Sequence, residues 1–374
     1  MEQSKHTSRR AFLNFGAGAA AALGMSALPP LARGASSGRA AVCVYLLGGN
    51  DSNNMIVPLD SPAYDTYARG RGALALPADS LLAVRDGASA QYGFHPALGG
   101  LRDLYNQNAL AVVANVGRTD PGHRLAGDAS DYLRELQMRF LPDGYMTTPW
   151  AVPGAPTATD SLPVFNLGRG VSLAAPGTQP ARHRTLAGDI AAAPLHRNLP
   201  ATPLARQLNL VLSAIRLGGF SQQCFVVPFE GFATSRDQLN RQAALFAELD
   251  RAMVGFYRAT LDLGIADRVT IYTDTEFNRT LAPNRAGGSD HAWGGHQLVL
   301  GGAALGGRIY GQFPSLAIGG PDDAAGNGTW TPSTSRARFD ATLAYWYGVS
   351  DFSGIPEYAA EPSAMQNRLD FLTQ

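Results

Sequence analysis

The chain has 374 residues, 45% of them hydrophobic and 16% charged, and its 30 basic and 30 acidic side chains balance to a formal charge of zero. That balance gives no pointer to nucleic acid or to an anionic membrane surface, both of which favour a basic excess. With 42 Gly and 24 Pro, the sequence predicts many turns and long connections between its elements.

Ser8-Arg9-Arg10-Ala11-Phe12-Leu13 precedes a weakly apolar, Ala- and Gly-rich run from Phe15 to Leu28, followed by small residues at Ala32, Gly34 and Ala35. Adjacent arginines, a short apolar region and a small-residue end have the form of a twin-arginine export signal, with cleavage near Gly34 or Ala35. The run is too short and too glycine-rich to span a bilayer. Residues 1–35 are therefore expected to leave, and the mature protein to be periplasmic or secreted with no transmembrane anchor. About 340 residues remain, enough to bury a substantial core, and 40–374 is read as a single domain.

Ala40 to Leu47 is a continuous apolar run ending in Gly48-Gly49-Asn50-Asp51, which suits a central parallel strand whose loop opens at the carboxyl edge of a sheet. Pro96 to Asn106 carries leucines at helical spacing, and Leu110 to Val116 is a second buried strand. Ala151 to Pro200 has little periodicity and reads as a loop-rich excursion. Ala201 to Leu217 is an amphipathic helix stopped by Gly218-Gly219, and Cys224 to Pro228 is a third strand. Asp237 to Leu263 presents one apolar face of a long helix, with Gly264 placed to end it. Val269 to Tyr272 is a short strand leading into Asp274-Thr275-Glu276-Phe277-Asn278-Arg279, and Gln297 to Leu300 is another. Tyr310 to Pro332 is rich in Gly and Pro, and Arg336 to Tyr347 closes the series as a helix. Strands alternating with helices predict an α/β fold, a mainly parallel central sheet with helices on both faces. Cys43 and Cys224 both lie in apolar runs and are read as buried thiols rather than a disulfide.

Chemistry concentrates in Ser289-Asp290-His291-Ala292-Trp293-Gly294-Gly295-His296, two histidines five apart in a Gly-rich loop. Neutral imidazoles beside carboxylates are divalent-metal ligands, and strand carboxyl ends are where α/β proteins place them. Asp51 and Glu276 stand at two further strand ends. Asp51 either binds a metal or builds an Asx turn; Glu276 either binds a metal or pairs with Arg279. Ser52 is a nucleophile or a cap, and Trp293 is a stacking platform or a core cover. His95, His183 and His196 have no arranged neighbours and read as ordinary histidines.

Several segments together look familiar: Leu-Leu-Gly-Gly-Asn-Asp-Ser-Asn-Asn-Met-Ile-Val-Pro (46–58), Leu-Ala-Val-Val-Ala-Asn-Val-Gly (110–117), Thr-Glu-Phe-Asn-Arg-Thr (275–280), Gly-Ser-Asp-His-Ala-Trp-Gly (288–294) and Gly-Gly-Arg-Ile-Tyr-Gly (306–311). The set resembles the exported proteins of domain-of-unknown-function family 1501, which is similar in fold to the alkaline phosphatase and sulfatase superfamily. The resemblance implies a metal-dependent hydrolase of phosphate or sulfate esters. A divalent metal (zinc, manganese or calcium) would be held by Asp51, Glu276, His291 and His296, with Asp290 orienting His291. Arg279, Thr119 and His123 would stand near a small-molecule or polymeric ester. Two departures oppose this. Where the family shows Gly, an aromatic residue, Asp, a variable residue and His, this chain has Gly231-Phe232-Ala233-Thr234-Ser235; where relatives carry Ser-His, it has Gly122-His123. Phe277 also stands where an Asp-His pair would place its histidine. The second expectation is accordingly a non-catalytic, degenerate periplasmic binding or assembly protein that retains the fold.

Overall fold

In a computed structural model of the chain, the described residues are 38–87, 90–118, 165–166, 189–190, 192–217, 223–348 and 361–373. All of them fall in the unit Ser37–Gln374. The proposed signal, Thr119, His123 and most of the 151–200 excursion lie outside the described residues.

Seven consecutive apolar residues can be satisfied only in the middle of a sheet, and β1 (Ala40–Leu46) is there, wholly buried. It runs parallel to β7 (Gln223–Phe229) on one side and to β8 (Val269–Asp274) on the other. Side chains alternate across the pleat. Val42, Val44 and Leu46 join an apolar layer with α2 (Gly99–Asn106), α3 (Pro203–Leu217) and α4 (Gln238–Asp262). Ala41, Cys43 and Tyr45 face the opposite layer, filled by Phe339, Leu343 and Trp346 of α5 (Arg336–Tyr347). Both faces of the sheet are thus covered by helices. Cys43 and Cys224 stand as buried thiols.

The sheet order is β12-β5-β11-β8-β1-β7-β6, with β13 also on β5. These remaining members are β5 (Leu110–Gly117), β6 (Phe165–Asn166), β11 (Gly295–Gly301), β12 (Ile309–Tyr310) and β13 (Thr334–Ser335). The sheet is mixed, mostly parallel, because β11 runs against β5 and β8 and β6 runs against β7. The reversal of β11 follows from its connection. The chain leaves β8 at its carboxyl end and turns back through a two-stranded hairpin, β9 (Asn278–Arg279) with β10 (His291–Ala292). Without a crossover helix to carry it to the opposite edge, the next strand must enter from where the last one ended.

A second sheet, β2-β4-β3, falls where the sequence predicts no element: β2 (Ile56–Pro58), β3 (Leu82–Asp86) and β4 (Ala90–Phe94). Helix α1 (Ala63–Arg71) contributes Tyr67 to a small core with Val57, Leu81, Leu281 and Trp330. Helix α2 opens on Gly99-Gly100 and has no capping side chain of its own; Asp250 of α4 supplies one, accepting from the Leu101 N–H at 2.7 Å. Among the described residues no helix is long and apolar enough to cross a membrane.

Candidate functional site at the carboxyl edge of the sheet

β1, β5, β7 and β8 all end at one edge, and β11 begins there, so the topology gathers Asp51, Glu276 and His296 at the same rim. Asn50, Asp51, Ser52, Asn53 and Asn54 are nonetheless all buried, none more than 1% exposed. Five polar residues in a row survive burial only when their hydrogen bonds are made internally.

Asp51 caps the short 3-10 turn Ser52–Asn54, its Oδ1 accepting from the Asn53 N–H and from Asn53 Nδ2, each at 3.0 Å. Its Oδ2 accepts from the Arg71 guanidinium and from the Gln238 amide. The Asp51 carbonyl takes the Gln242 amide at 2.6 Å. Both carboxylate oxygens are thus engaged by protein donors. Ser52 donates its hydroxyl to Asn278 Oδ1 at 3.0 Å, and its N–H goes to the same oxygen at 2.9 Å. The hydroxyl is held in the network by Asn278.

Glu276 lies across the loop. Gly48 and Gly49, at φ +106° and +83°, turn successive N–H groups toward it, and the carboxylate accepts them at 3.1 and 3.2 Å. Burial first, and Asp274 among the further causes, raise the Glu276 pKa. An added Cβ at Gly49 would overlap the Phe277 ring, so the loop is closed from that side as well. Phe277 packs on His291 with ring centroids 3.9 Å apart. His291 itself is exposed, and its pKa is lowered by partial burial and by Arg279. Asp290 is exposed too and accepts from Asn284 Nδ2 at 3.1 Å.

His296 is 1% exposed, sits where the β11–β5 register shifts, and stacks on Phe313. Its Nδ1 accepts from the Asn115 N–H at 3.0 Å, which places the ring proton on Nε2. Burial pulls its pKa down to about 3. Arg279, expected to clamp an anion, is buried and spends its donors on four carbonyls: Gly48 (2.6 Å), Gly49 (2.9 Å), Phe232 (3.1 Å) and Ser289 (2.7 Å). The Trp293 indole donates to the Arg118 carbonyl at 2.8 Å.

The edge therefore gathers the predicted residues without making them converge. Among the described residues no three His, Cys, Asp or Glu side chains lie where they could hold one metal ion. The donor set does not fit the metal that the resemblance implies: Asp51 is enclosed by Arg71 and Gln238, Glu276 by backbone N–H groups, and His296 by apolar packing. The Ala233 backbone packs so closely on Gly48 that a Cβ added at Gly48 would collide with it.

A family model described as "Protein of unknown function (DUF1501)" matches residues 180–324. That span takes in α3, β7, α4, β8, the β9–β10 hairpin and β11, hence Glu276, Arg279, Asp290, His291 and His296. Asp51 and Arg71 lie before it. No curated protein matches the chain, and no solved structure does.

The matched span also holds polar residues of this edge that no motif in the sequence marks. Gln238 and Gln242 open α4 and reach Asp51. Asp274, the last residue of β8, is buried against Arg336, with Nη1 to Oδ1 at 2.6 Å, and Arg336 also meets Asp340 at 3.0 Å. The signal in the sequence is that Asp274 ends a buried strand, two residues before Glu276.

Proposed function

We propose that this is an exported, non-catalytic binding or assembly protein that retains an α/β fold similar to that of alkaline phosphatases, without their metal chemistry. The observation that carries the reading is the state of Asp51: the strand-end carboxylate best placed for a metal accepts four hydrogen bonds from Asn53, Arg71 and Gln238. Ala233 and Ser235, in place of the Asp and His that the resemblance implies, support it, as does the burial of Arg279 with its donors spent on four backbone carbonyls. A two-metal hydrolase depends on charge stabilisation worth several kcal/mol from those groups.

The test is metal content of the purified mature protein by elemental mass spectrometry, with His291→Ala as control, followed by turnover of phosphate and sulfate esters with zinc, manganese or calcium added. The expected result is no stoichiometric metal and no turnover above buffer. Near-stoichiometric metal that disappears in the control, with ester hydrolysis, would replace this reading by the hydrolase. Export is checked separately. Replacing Arg9 and Arg10 with Lys is expected to hold the protein in the cytoplasm, as read by fractionation; unchanged export would remove the twin-arginine assignment.

A further inference from the structure

The misfit between the Asp51 region and a metal has a specific cause. Arg71 is the last residue of α1, where a helix C-terminus favours a cation, and the chain turns away at Gly72 (φ +53°). Its side chain is fully buried. Nε donates to Asn54 Oδ1 at 2.9 Å; Nη1 donates to the carbonyls of Thr280 and Leu281, each at 2.9 Å; Nη2 meets Asp51 Oδ2. All four acceptors are oxygens, one of them anionic, drawn from two separate segments, 51–54 and 280–281. Carboxylate, amide and main-chain carbonyl oxygens are what a hard cation takes as ligands. The guanidinium keeps its proton at neutral pH, since burial lowers its pKa only to about 9.

We infer that the Arg71 guanidinium is a built-in cation that takes the place of a metal ion beside Asp51, seated in an oxygen cage made by Asp51, Asn54 and the carbonyls of Thr280 and Leu281. This rests on the non-catalytic reading above and deepens it, because a cation tethered to the chain needs no metal supply and leaves no open coordination position for a substrate. The cage recognises planar guanidinium chemistry. Its Asp51 side is closed by Gln238, whose carbonyl oxygen in turn accepts from the Ser289 hydroxyl at 2.5 Å.

The experiment compares thermal unfolding of the wild type with Asp51→Asn, Arg71→Met and the double variant. Each single change strands a buried partner and is expected to lower the midpoint by about 10 °C, whereas the double variant, with neither charge left, recovers at least half of the loss. Should the single variants fail to accumulate, a folded double variant is the expected result. Losses that merely add, or a double variant that fails where a single one folds, would overturn the inference. Arg71→Ala, which empties the cage, is expected to gain stability saturably with millimolar guanidinium chloride while the wild type does not; a flat response also overturns it. Additive losses with no ester turnover would sink this inference alone, and ester turnover with coupled losses would sink the non-catalytic reading alone.

Discussion

Arg279→Met is expected to lower the thermal midpoint by roughly 10–20 °C, or to prevent recovery of soluble protein altogether. The guanidinium donates to the carbonyls of Gly48, Gly49, Phe232 and Ser289, tying the loop after β1, the loop after β7 and the hairpin after β8 to one another. Methionine matches the volume of the stem and offers no donor, so it leaves buried carbonyls unmet at roughly 1–3 kcal/mol each. A sum of that size is a large part of the roughly 5–15 kcal/mol that holds a domain folded. Lysine tests the geometry separately. Its single ammonium cannot span carbonyls on three segments as a planar fork does, so Arg279→Lys should fall between wild type and methionine. Far-UV circular dichroism melts of the three proteins decide it. A methionine variant within about 2 °C of wild type would mean that the carbonyls find other donors and that Arg279 is available for another role.

The sequence announces some elements through one strong signal and hides others that lack it. β1 is readable because seven apolar residues without a polar break leave no other burial, and α4 because its apolar residues keep a helical period over seven turns. The β2–β4 sheet and α1 escape notice. β4 reads Ala-Gln-Tyr-Gly-Phe and α1 reads Ala-Tyr-Asp-Thr-Tyr-Ala-Arg-Gly-Arg, neither with a clear period; α1 is set by packing Tyr67 with Trp330 and Leu281, and β4 by packing Phe94 into the main core beside Tyr105. The site follows the same division. That Asp51, Glu276 and His296 would share one edge is legible, since strand ends fix it. Which partner each would take is not. Asp51 finds Arg71 20 positions on, in the unannounced helix, and Gln238 187 positions on. Hydrogen-bond partners of buried polar groups are chosen by the assembled fold, and a sequence pattern carries only their chemical need for one.

Acid is expected to destabilise the protein steeply through two buried imidazoles. Burial pulls His296 from 6.5 to about 3 and His95 from 6.5 to about 4. Both rings use Nδ1 as an acceptor, His296 from the Asn115 N–H and His95 from the Ala97 N–H, each at 3.0 Å. A proton added there would set a donor against a donor, so the folded state stays neutral. The unfolded chain protonates both rings as pH falls through 6.5, and the folded chain does not. Stability conferred by the neutral rings is therefore complete above 6.5 and declines below it, by about 1.4 kcal/mol per pH unit for each ring until the folded pKa is reached. Glu276 and Asp250 act in the opposite sense. Burial raises both, so the folded state takes up their protons before the unfolded chain does, and acidification gives back part of the loss. The histidine share is isolated by difference. Asparagine places its Oδ1 near the position of Nδ1 and cannot charge, so His296→Asn and His95→Asn should each flatten the stability–pH line by about 1.4 kcal/mol per unit between about pH 4.5 and 6. Urea unfolding midpoints across that range supply the slopes. A slope unchanged in His296→Asn would mean that the imidazole gains its proton in the folded protein, which requires the Asn115 N–H to leave Nδ1 and an acceptor to take its place.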